Sequence, residues 1–88
     1  MHAVVFDVNI GIDPDEAADF LRENIVPRVK EAPGFIAGYW VRLPGNKGRS
    51  LVVFESEDAA QAALDQGPPP PEGVTIEQSE VGEVVASA

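Results

Sequence analysis

The residues able to do chemistry in this chain gather on two runs that read as strands. Asp7 and Asn9 lie within Ala3 to Ile10, and Tyr39, Trp40 and Arg42 within Gly34 to Leu43. Their types suit work on an electron-rich ring. The Trp40 indole N–H can donate to a developing oxyanion, the Arg42 guanidinium can hold a phenolate, the Tyr39 hydroxyl can donate or relay a proton, and Asp7 or His2 can act as base. Val52 and Phe54, on a third run from Ser50 to Glu55, can wall an apolar pocket.

Each of these side chains has an ordinary structural role as well. Adjacent Tyr39 and Trp40 point to opposite faces of a strand, so one site cannot take both without a bulge, and an aromatic pair on a strand also serves core or interface. Arg42 near a strand end suits a solvated or ion-paired position. Asp7, amid apolar neighbours, points to solvent at an edge, reaches a cation across an interface, or enters a pocket. His2 adjoins the terminus and suits the surface.

Other chemistries find no support in the residues. With one His and no Cys, a metal would rest on carboxylates alone, and the acidic groups Asp13-Asp15-Glu16 and Glu57-Asp58 are explained by the starts of helices. No cofactor is expected. Gly45-Asn46-Lys47-Gly48 has a GxxG spacing but lies between two strand-like runs, which makes it a hairpin turn, and it lacks the Walker spacing. Ser50 would depend on His2 alone for a catalytic partner.

The elements that must position these residues follow from pattern. The 88 residues form one domain, residues 1–88, with a formal charge of −9 that disfavours nucleic acid and anionic membranes. The first residues show no cationic stretch and meet Asp7 too early for a signal peptide or a spanning helix, so the expected location is cytoplasmic. Asp13-Pro14-Asp15-Glu16 reads as a helix start with Asp13 as N-cap and Glu16 as capping-box partner. Ala17, Ala18, Leu21, Ile25 and Val29 fall on one arc, predicting a broad buried face, and Pro27 predicts a kink or a looser final turn. The Pro44 to Gly48 turn joins two antiparallel strands. Ser56 caps a short helix, Glu57 to Gln66, which Gly67 ends. Pro68 to Pro71 form an extended connector, and Val74 to Val85 supply the last strand, with a bulge or break expected at Gly82.

The order is β-α-β-β-α-β, an α+β, ferredoxin-like sandwich with an antiparallel sheet. Its strand runs are apolar on both faces, whereas two helices can cover only one. Tyr39, Val41, Leu51 and Val53 would then form an exposed apolar patch, for which a sheet-to-sheet homodimer is the economical cover.

The passage from Val26-Pro27-Arg28-Val29 to Ala32-Pro33-Gly34-Phe35, the continuation Gly38-Tyr39-Trp40, and the segment Val52-Val53-Phe54-Glu55-Ser56-Glu57-Asp58-Ala59-Ala60 resemble the dimeric α+β barrel superfamily, best known for its antibiotic-biosynthesis monooxygenase-like branch. That resemblance implies two ferredoxin-like sheets meeting in a barrel. The superfamily's haem-degrading branch uses an Asn on the first strand, a Trp late in the third and a later His. Here Phe54 stands at the Trp position, no His follows His2, and Asn9 falls one place out of register, with Val8 where the Asn would be. Two functional expectations follow. One is a dimer of undetermined function that binds a small apolar or aromatic molecule between helices and sheet, with Phe54, Val52, Tyr39 and Asn9 as candidate pocket residues. The other is a cofactor-independent monooxygenase of a phenolic or quinol-like substrate, with Trp40, Arg42 and Asp7 as candidate catalytic residues.

Overall fold

The computed structural model describes residues 1–67 and 69–88; Pro68, the first residue of the expected proline connector, lies outside the described residues. The chain runs β1 (His2–Ile10), α1 (Pro14–Phe20), a π-helical segment (Leu21–Ile25), α2 (Val26–Lys30), β2 (Phe35–Leu43), β3 (Lys47–Phe54), α3 (Glu57–Gln66) and β4 (Val74–Glu83). The strands form an antiparallel sheet in the order β2-β3-β1-β4. This is an α+β architecture compatible with the ferredoxin-like fold. Among the described residues, no helix is long and apolar enough to cross a membrane.

Local chemistry accounts for the element ends. Asp13 Oδ1 accepts from the Asp15 N–H at 2.8 Å to start α1, and Ser56 Oγ accepts from the Ala59 N–H at 3.1 Å to start α3. Pro27 acts earlier than expected. A proline there cannot donate to Glu23, and its ring would crowd that carbonyl, so the preceding turn widens and the Val26 N–H reaches back to the Leu21 carbonyl. Helix then resumes as α2, with Pro27 in its first turn. Positive φ angles at Gly45 (80°) and Asn46 (60°) tighten the hairpin, so that β3 begins at Lys47, ahead of the expected start.

The last strand differs from expectation in two respects: it ends at Glu83 rather than Val85, and its irregularity is not at Gly82. Gly82 pairs regularly with Ala3, and the irregularity lies at Glu77, which the register skips between Gln78 opposite Asp7 and Ile76 opposite Val8. The extra residue falls where the Glu77 carboxylate meets Lys47 Nζ at 2.7 Å. Gly82 has no such contact to satisfy.

The two faces of the sheet are unlike. On the helix face, Val4, Val52 and Phe54 are buried with Ala60 of α3, and Phe35 meets Phe54 edge-on at 6.2 Å between ring centroids. The other face carries Val5, Leu51 and Tyr39 in one row across β1, β3 and β2, followed by Asp7, Arg49 and Val41 in the next row of that face. Tyr39 is 64% exposed, Val41 52% and Leu51 41%.

Candidate ligand cleft

The apolar arc of the first helix does face the sheet, but it does not close onto it. No residue of α1, the π-helical segment or α2 is fully buried. Beneath α1 and the π-helical segment lies a cavity of about 770 Å³, floored by Phe6, Val8 and Ile10 and roofed by Ala17, Leu21 and Ile25. A second cavity of about 510 Å³ lies under α2 and α3, bordered by Val29, Ala63, Val52 and Phe54. Both volumes fall in the range of small-molecule sites.

Trp40 stands between them. Phe6, Ile25 and Trp40 border both cavities, so the indole forms part of a partition rather than a plug. Its position has a local cause in Gly38, two residues back on the same face. A Cβ built on Gly38 would lie 2.8 Å from the Trp40 Cη2 and 2.9 Å from its Cζ3. The missing side chain lets the ring lie against the strand.

Arg42 sits at the mouth of the larger cavity. Its Nη2 donates to the Pro14 carbonyl at 3.1 Å and to Asp15 Oδ1 at 3.3 Å, tying the end of β2 to the first turn of α1. One guanidinium thus spans the opening between sheet and helix. The remainder of its donors have no hydrogen-bond partner among the described residues.

The structure therefore divides the residues singled out from the sequence. Trp40 and Arg42 border the larger cavity, and Val52 and Phe54 border the smaller one from within the core. Asp7, Asn9 and Tyr39 belong to the opposite face by strand alternation. Asp7 finds a cation within its own sheet, accepting from Arg49 Nε at 2.6 Å. His2 is on the helix face near α3, where its Nε2 lies 3.4 Å from Glu57 Oε2 and its buried Nδ1 has no hydrogen-bond partner among the described residues. No protein-family model matches this chain, and no curated protein matches it.

Sequence reasoning missed Phe6, Ile25, Arg22 and Arg28 as cavity residues. Phe6 shares parity with Val4 and Val8, a visible signal, but its meeting with Trp40 depends on register. The arginines sit on helix flanks where a solvated role is the ordinary expectation. Among the described residues, no group of three or more His, Cys, Asp or Glu is placed to hold a metal ion.

Proposed function

We propose that this chain binds a small apolar or aromatic molecule in the cleft between its helices and sheet, and that it does so as a homodimer joined through the open sheet face. The observation that carries the reading is the pair of apolar cavities meeting at Trp40. Apolar side chains that line an open cleft face water there, and an apolar occupant takes that surface out of water. The homodimer draws its support from Tyr39, Val41 and Leu51, which a facing sheet would cover. A pair of sheets so joined is the arrangement implied by resemblance to the dimeric α+β barrels.

The Trp40 indole N–H gives a single, local reporter, since the chain has one Trp. Titration with the neutral probe N-phenyl-1-naphthylamine should shift that resonance saturably while leaving the Leu51 methyls unmoved. An indole signal that stays in place while the Leu51 methyls move would put the ligand on the open face and overturn the cleft reading.

A second reading is cofactor-independent monooxygenation of a phenolic or quinol-like substrate, and one observation favours it: an indole donor and a guanidinium border the same cavity. Asp7 faces away from that cavity, so the proton acceptor would have to be another group, and Asp15 is the carboxylate at its border. Oxygen consumption with anthrones, naphthols and quinols, lost in Trp40→Phe, would support this reading. No consumption across the panel would remove it.

A further inference from the structure

The charges around the cleft run against the composition of the chain. Fifteen acidic and six basic residues give an excess of carboxylates, yet among the described residues Asp15 is the single acid bordering either cavity. Arg22 and Arg42 border the larger cavity and Arg28 the smaller. Arg49 also contributes to the larger cavity's wall, but its guanidinium is engaged with Asp7.

Of the three arginines at the larger cavity, Arg22 and Arg42 have weak carboxylate partners, Arg42 donating to the Pro14 carbonyl as well. Arg22 meets Asp19 at 3.1 Å and Arg42 meets Asp15 at 3.3 Å, each through one nitrogen, and both carboxylates are largely exposed. Pairs of this kind contribute little and exchange readily with another anion. A guanidinium presents a fork matched to a carboxylate, and at the edge of an apolar cavity that match is less screened than in open water.

Building on the cleft-binding reading, we infer that the occupant is a small organic acid, its aromatic or alicyclic body lying against Trp40 and Phe6 and its carboxylate held at the mouth by Arg42 and Arg22. The excess of carboxylates elsewhere then disfavours such anions over most of the surface, whereas this opening attracts them. Charge supplies the selectivity, and the apolar walls supply the contact area.

The test compares 2-naphthoate with its neutral isostere 2-naphthamide, following the Trp40 indole N–H. The acid should bind at least about fivefold more tightly at low ionic strength, with an advantage that shrinks as salt is added. Arg42→Gln should abolish the preference, bringing the affinity for the acid down to that for the amide measured in the same variant. Arg42→Lys should keep most of it, which separates charge from the tie between Arg42 and α1. Asp15→Asn should increase it, because the competing carboxylate is gone. Lys47→Gln makes the same change in net charge away from both cavities and should leave the preference intact. Equal affinity for acid and amide, or an equal loss in Lys47→Gln, overturns the inference while the cleft reading stands; no indole shift with either probe overturns both.

Discussion

Because Gly38 lacks a side chain, the Trp40 ring can lie along β2 and border two cavities at once. Adding one methyl there forces the ring from its seat, an overpacking that ordinarily costs about 1–3 kcal/mol. Gly38→Ala should therefore lower the urea midpoint by a corresponding amount and change the Trp40 emission maximum in the folded state. An unchanged spectrum and midpoint would show that the ring has room to yield. Alternation in the sequence already separates Tyr39 from Trp40. Which of the two faces the helices is decided by pairing, since Trp40 stands opposite buried Ser50 and Tyr39 opposite exposed Leu51.

At the scale of elements, α3 was the most legible because its signals are local: a hydroxyl at the cap, small residues on the inner surface and Gly67 after the last turn. Ser56→Ala removes an acceptor from the Ala59 N–H and should cost about 1 kcal/mol in chemical denaturation. No change would mean that water caps the helix equally well. The first helix was less legible. Its apolar arc states which side turns inward, but periodicity carries no information on how closely two layers approach, and the cavities lie in that unspecified distance. The widened turn before Pro27 is similar: the residue announces a disturbance, while its placement depends on which carbonyl finds a new donor. In β4 the composition pointed to Gly82, whereas the bulge follows Glu77 and its cross-sheet partner Lys47, a pairing between residues 30 apart in sequence that no local pattern reveals.

At the scale of the whole molecule, runs that are apolar on both faces lead directly to a sheet covered on one side and open on the other. Leu51 sits centrally on the open face, between Val5 and Tyr39, and is 41% exposed in the single chain. If two copies meet there, Leu51→Asp buries an unpaired carboxylate at their junction and should convert a particle of twice the 9.4 kDa chain mass into one of that mass, with circular dichroism unchanged. Light scattering after size exclusion measures this. A single-chain mass for the unsubstituted protein would refute the homodimer outright. Two of the three catalytic candidates and two of the four pocket candidates were brought to the cavities, and what sorted them was long-range pairing, which places every odd residue of β1 on the face away from the helices.

The strand order leaves β4 at an edge of the sheet, paired with β1 alone. β2 and β3 join across a three-residue turn, Pro44 to Asn46, whereas β4 must return across the length of the chain to set Glu83 opposite His2. An edge strand paired on one side can leave without breaking any other strand pairing, which places β4 among the elements that open most readily. The same strand supplies Val74 and Ile76 to the wall of the larger cavity. That compartment is completed only when the final strand docks, and an occupant that needs it intact would slow the detachment of β4, making amide exchange along Val74–Glu83 a kinetic record of occupancy.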